Sequence, residues 1–148
     1  METKKAKDYI DHSLGFPVHL GQVTMVKVRG EWAPKVDYAR LAPKVLRVLS
    51  RLERPLHGQE VRFVRLHFNL TQQTFAEKFG VSHVAVHKWE RSGVHATGMQ
   101  WSTEKDLRLF IQSCLSPDPV GVGRLYEQLT KKRRPSSGPT KQAEALEV

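Results

Sequence analysis

A single cysteine, Cys114, occurs in 148 residues, and that scarcity removes several possibilities at once. No internal disulfide can form, and no cysteine-rich zinc site can assemble. Long apolar runs are missing too. The longest uncharged apolar stretches fall far short of the roughly 20 residues that cross a bilayer, and the N-terminal METKKAKDYIDHSLGF has no secretory core. These absences lead us to expect a cytoplasmic protein without a membrane partner. Acidic residues are also few: 15 Asp and Glu face 24 Lys and Arg, giving a net charge of +9 and a pI near 9.9. A polyanion would be attracted to such a chain and would release counterions on binding. Residues 1–54 hold 11 basic against 6 acidic side chains, 55–116 hold 7 against 5, and 117–148 hold 6 against 4. The central segment is therefore no generic basic tract, and selectivity there must come from the placement of a few side chains.

What is present divides the chain into four parts. Residues 1–13 are polar, lysine-rich and without apolar periodicity, and read as a mobile arm. Residues 14–54 carry FPVHLGQVTMVKVRGEW from Phe16 to Trp32, whose near-alternation around Gly21-Gln22 predicts a β-hairpin that must pack on a helix or pair with another chain. A helix over roughly 37–53 follows from Leu41, Val45, Val48 and Leu52, with Pro43 either starting it or kinking an early turn. Its basic face of Lys44, Arg47, Arg51 and Arg54 reads as solvated before it reads as a phosphate contact.

Residues 55–116 carry start and stop signals at short intervals. A helix is predicted at about 59–68 and a second at 72–79, N-capped by Thr71 and closed by a left-handed Gly80. Ser82 caps a third, HVAVHKWER, closed by Ser92-Gly93, and Ser102 or Thr103 is placed to cap a last helix around TEKDLRLFIQSCL. In residues 117–148, SPDPVGVG breaks structure, GRLYEQL offers a short helix, and disorder is expected from about Lys131 in a largely disordered basic tail.

Two short helices joined by a tight glycine turn can present the N-terminal half of the second to a DNA major groove. On that second helix Ala85, Val86 and Trp89 form the side expected to be buried, while Ala76 and Val81 allow close approach of the first. His83, Val84, His87, Lys88 and Arg91 project from the other side. Short or hydrogen-bonding groups near the N-terminus reach base edges, and cations toward the end reach phosphates.

The segment LTQQTFAEKFGVSHVAVHKWERSG resembles the Xre/Cro-type helix-turn-helix regulators, whose L-T-Q-x-x-(F/L)-A-x-x-x-G-V-S stretch precedes a recognition helix ending in W-E. The resemblance spans about Gly58 to Leu115. It implies that Gln72 bonds a phosphate, that His83, Val84, His87 and Lys88 face the bases, and that Trp89 and Glu90 are structural, Glu90 being tied to an arginine such as Arg62 or Arg65. Many such regulators carry Gln, Arg, Ser or Thr where this chain has His83, Val84 and His87. Val84 suits a thymine methyl, and a histidine changes its preferred partner with protonation, which makes binding pH-sensitive near neutrality. The wider layout is also similar to the MqsA/YgiT-type antitoxins, though without the N-terminal zinc cysteines of that family, so no metal site is expected.

Catalytic readings find little footing. His83 and His87 have a metal-ligand spacing but no further ligands, no H-E-x-x-H occurs, and Cys114 beside Leu109, Phe110 and Leu115 reads as an inert core thiol. Most aromatics of the helical segment read as core, whereas Trp32 and Trp101 lie at ends of elements. The sequence thus predicts a mainly α fold, a five-helix-type helix-turn-helix domain with an N-terminal β-hairpin. The expected role is that of a sequence-specific, autoregulating DNA-binding repressor, without catalysis or cofactor, acting on double-stranded DNA as a homodimer. The alternative is an antitoxin whose hairpin binds a protein toxin.

Overall fold

The computed structural model describes residues 2–116, 119–132 and 145–148. Its chain order is β1 (Thr3–Asp11), β2 (Val18–Val28), β3 (Glu31–Lys35), α1 (Tyr38–Arg51), α2 (Gly58–His67), α3 (Gln72–Lys78), α4 (His83–Arg91), α5 (Trp101–Leu115), α6 (Pro119–Lys132) and β4 (Leu146–Glu147). Among the described residues, six helices and a four-stranded sheet make this a mixed α/β fold rather than the mainly α fold expected. No helix among the described residues is long and apolar enough to cross a membrane.

The sheet departs most from expectation. Residues 3–11, read as a mobile arm, form strand β1, antiparallel to β2 from Thr3↔Val26 to Asp11↔Val18. The strand is polar because it sits at the sheet edge, where ladder hydrogen bonds and not burial hold it, and edge lysines discourage pairing with other chains. Lys5 Nζ donates to Thr24 Oγ1 at 2.7 Å, and Lys4 Nζ lies 4.3 Å from the centre of the Trp32 ring.

The predicted turn at Gly21-Gln22 is absent, for β2 runs through it. A two-residue hairpin turn of the favoured twist needs positive φ at its first central position, and at both in the type I′ form. Arg29 (φ 52) and Gly30 (φ 83) provide this between β2 and β3. At Gly21 the inward side of β2 changes phase instead, from Val18 to Val23 and Met25, and the facing Asp8 takes φ 55. β4 joins β2 in parallel at Val18 and His19, on the side opposite β1, and buries Leu146. The predicted disordered tail is therefore corrected at residues 119–132 and 146–147, while its part over 133–144 lies outside the described residues.

Asp37 caps α1 by accepting from Arg40 N at 3.3 Å, and Pro43 lies within the helix, not at its start. Leu41, Val45, Leu46 and Leu49 turn inward in α1, which packs against α5; of the stripe read from sequence Leu41 and Val45 are buried, whereas Val48 and Leu52 are only half-buried. Lys44, Arg47 and Arg51 are exposed, whereas Arg54 is drawn into an ion pair with Glu60. α5 starts earlier than expected: Gln100 precedes it, its carbonyl accepting from Thr103 and Glu104, and neither Ser102 nor Thr103 is the cap. The inward stripe of α5 is Glu104, Leu107, Arg108, Ile111 and Gln112. Leu115 follows that stripe against the core but Cys114 does not, so the thiol is exposed and the expected core thiol is corrected. Helix α6 runs through the predicted breaker: Pro119 is its first residue, where a missing N–H costs nothing, and Leu125 and Leu129 anchor it.

Candidate nucleic-acid interface

Local chemistry builds α3 and α4 much as the sequence dictates. Thr71 Oγ1 accepts from Thr74 N at 3.1 Å while Thr74 Oγ1 accepts from Thr71 N at 2.9 Å, closing two free amides at the start of α3. Gly80 (φ 67) turns the chain left-handed, letting Val81 N donate back to Ala76 O at 3.0 Å. Two residues on, Ser82 Oγ accepts from Ala85 N at 3.1 Å and α4 begins.

Helix α4 has two sides. Val86 and Trp89 are buried and Ala85 is half-buried, as expected of its inner face. His83, Val84, His87, Lys88 and Arg91 are all exposed on one broad face, Val84 by 50%. None of these five side chains is engaged in a hydrogen bond or ion pair among the described residues. Gln72, at the first position of α3, is half-buried, and Ser82 is exposed. All seven residues singled out from sequence therefore fall on α3, α4 or the turn between them.

The anchoring of α4 is electrostatic as well as apolar. Arg65 of α2 reaches Glu90 with both Nε and Nη2, at 2.7 and 2.9 Å, and its Nη1 donates to Leu70 O at 2.9 Å. This one guanidinium therefore ties α2, α4 and the connector before α3 together. Both partners are largely removed from water, which leaves Lys88 and Arg91 as the unneutralised charges on α4. Of the two arginines that the resemblance offered for Glu90, Arg65 makes the bond, and Arg62 is exposed.

Sequence reasoning missed the close approach of α2 to the end of α4. A Cβ at Gly58 would lie 2.3 Å from Trp89 O and 2.8 Å from Gly93 N, so only glycine fits. Gln59 N donates to Gly93 O at 2.9 Å, and His57 bridges Ala96. Burial holds the His57 imidazole below its ordinary pKa of 6.5; Glu60 opposes that shift, while Arg54 and His95 add to it. Also missed were two charged pairs on the connector between α1 and α2. Arg54 makes a bidentate contact with Glu60, at 2.9 and 2.7 Å, and Glu60 Oε1 also accepts from His57 N. Arg108, fully buried, donates to Leu52 O, Arg54 O and Glu104 Oε2. Burial lowers its pKa and Glu104 opposes that shift. The signals available were slight: Glu60 stands three residues after the cap, and Glu104 and Arg108 are four apart.

Among the described residues no group of three or more His, Cys, Asp or Glu is placed to hold a metal. The arrangement presents an exposed helix face with imidazoles, a methyl-bearing side chain and two cations, held rigidly from behind. Comparison with protein-family models, with curated proteins and with solved structures gives no match, so the residues themselves carry the assignment.

Proposed function

We propose that this protein is a sequence-specific DNA-binding transcriptional regulator of helix-turn-helix type, a cytoplasmic repressor of its own promoter that binds double-stranded DNA as a homodimer. The observation that carries this reading is the unengaged face of α4, where His83, Val84, His87, Lys88 and Arg91 stand clear of a helix fixed by Trp89 and the Arg65–Glu90 pair. A helix so presented, preceded by a short helix and a tight turn, fits a major groove. His83, Val84, His87 and Lys88 take the base edges, with Val84 against a thymine methyl, while Gln72, Ser82 and Arg91 lie toward the phosphates. Two copies place their recognition helices about 34 Å apart on a palindromic operator.

The test is a binding assay at several salt concentrations, using the protein's own promoter region and a scrambled duplex of equal length. A preference of about a thousandfold for the promoter is expected. Equal and steeply salt-dependent affinity for both duplexes would overturn the reading.

A second reading, neutralisation of a protein toxin, is favoured by the sheet. Strand β1 is an edge strand, and Trp32 is partly exposed beneath Lys4 and Lys27. A toxin would cover that ring, since the lysines of β1 discourage a further strand at its edge.

A further inference from the structure

Helix α1 carries Arg40, Lys44, Arg47 and Arg51 and no acidic residue. At about 100° per residue these four cations fall within roughly 60° of arc, opposite the buried Leu41, Val45, Leu46 and Leu49. All four are exposed, and none of their charged groups makes a hydrogen bond or ion pair among the described residues. Such a row destabilises the helix that bears it. Like charges three and four positions apart repel, and Arg40 stands in the first turn, where the helix dipole favours an acid. Interspersed acids would relieve both effects, and α1 has none.

Beside the row the surface is apolar. Val48 and Leu52, both half-buried, and the exposed Val148 line an open groove of about 630 Å³, with Lys44, Arg47 and Arg51 along its rim. From Lys44 to Arg51 this groove follows two turns of α1, about 10 Å of helix. Glu53 is the one acid of its lining among the described residues and stands at the far end of that wall.

Two kinds of polyanion can answer the charges, and the apolar floor separates them. A phosphate backbone would neutralise the rim but leave Val48, Leu52 and Val148 wet, and its regular charges would meet Glu53. An amphipathic helix rich in Asp and Glu covers the floor with its apolar stripe, meets the rim with its flanks and can leave its acids out of the position facing Glu53. An extended peptide fits less well, because α1 spends its backbone groups within the helix, whereas a helical partner brings its own already paired.

We infer that the face of α1 from Lys44 to Leu52 is a docking site for an acidic amphipathic helix of a partner protein, its apolar stripe on Val48, Leu52 and Val148 and its carboxylates against Lys44, Arg47 and Arg51. The contact is small, which suits a transient complex. The site stands whether or not α4 reads DNA, for α4 packs on α2 and α3 while α1 packs on α5.

The experiment is a fluorescence anisotropy titration, with the full chain, of a labelled peptide of about 18 residues, five turns of helix, carrying leucines at i, i+3, i+4 and i+7 and glutamates on both flanks. A second peptide keeps every glutamate and has glutamine for each leucine. The first should saturate, and the second should bind about tenfold more weakly because the buried leucines are lost. Lys44→Glu with Arg47→Glu should weaken the first peptide at least about tenfold while the melting temperature holds, since each new acid gains an arginine four positions away. The same charge change at two exposed residues on other elements, Lys7→Glu with Arg62→Glu, should stay within about twofold at physiological salt. No saturation by about 1 mM, equal binding of the leucine-free peptide, or an equal loss from both double variants would overturn the proposal. Complete displacement of the first peptide by an equimolar scrambled DNA duplex would overturn it as well and would give the row to a phosphate backbone.

Discussion

Between His57 and Ala96 the chain closes on itself: the two residues bridge, Gly58 seats against Trp89 and Gly93, and Arg65 reaches Glu90. Strand β2 is assembled differently. It takes β1 along one side, β3 on the other, and beside β3 a strand from residues 146–147. The first region rests on caps, a glycine turn and side-chain contacts across up to 39 positions, whereas the second rests on ladder hydrogen bonds, short-range from β2 to β1 and β3 but reaching across 128 positions from β2 to β4. Caps and turns specify shape locally, whereas the β4 pairing exists only once the two ends of the chain have met. Arg108 ties α5 to the connector that leaves α1 and enters α2, through its bonds to the Leu52 and Arg54 carbonyls.

The sharpest way to break the first region is to leave one buried charge without its partner. Glu90→Ala strands Arg65 between α2 and α4 and should cost about 3–5 kcal/mol, read by urea unfolding. The double variant Arg65→Met with Glu90→Leu should recover most of that loss, since two apolar groups leave no buried charge unpaired. Failure to recover it would mean that the bond to Leu70 O, and not the ion pair, holds the corner.

For the sheet, the corresponding change is Leu146→Ala. Leu146 is buried in the core that Val18 and Phe16 also line, so about 2–4 kcal/mol should be lost in the same denaturant assay. A negligible change would mean that β4 contributes nothing and that the sheet is three-stranded in solution.

The exposed face of α4 is separated from stability altogether. Lys88→Ala and His87→Ala should each weaken binding to the cognate duplex by about 1–3 kcal/mol, and Gln72→Ala should weaken all duplexes alike. All three should leave the unfolding midpoint unchanged. An equal loss on every duplex from all three variants would remove direct readout from the account.

The smallest effect belongs to His57. Its folded pKa lies below 6.5, so the folded state binds fewer protons than the unfolded chain near that pH. This contribution is complete above pH 6.5 and is lost as the pH falls through that value toward the folded one. His57→Ser keeps a capping side chain and removes the titration. Between pH 7.5 and 5.5 its melting temperature should therefore fall less than that of the wild type, and parallel curves would contradict the assignment.

Legibility followed the same division. Thr71, Gly80 and Ser82 were readable because a cap or a positive φ depends on the residue itself and its neighbours within a turn. The inner and outer faces of α4 were readable because helical periodicity fixes them. Strand β1 was not, since TKKAKDYID lacks alternation and becomes a strand only by donating to β2. The Arg29-Gly30 turn was passed over in favour of Gly21-Gln22, although only the former has positive φ at both positions. Cys114 was misplaced because the rotation of α5 against α1 decides which residue of the last turn faces in.

The sequence by itself determined α1 to α4, the caps of α3 and α4, and the set of side chains on α4 that face away from the core, because these depend on dihedral preference and a 3.6-residue period. Tertiary structure alone decided the rest. It made a polar segment and two C-terminal residues into strands of one sheet, and brought Arg54 to Glu60 and Arg108 to the connector carbonyls. These outcomes depend on which groups lose water together, and that is settled only when distant parts of the chain meet.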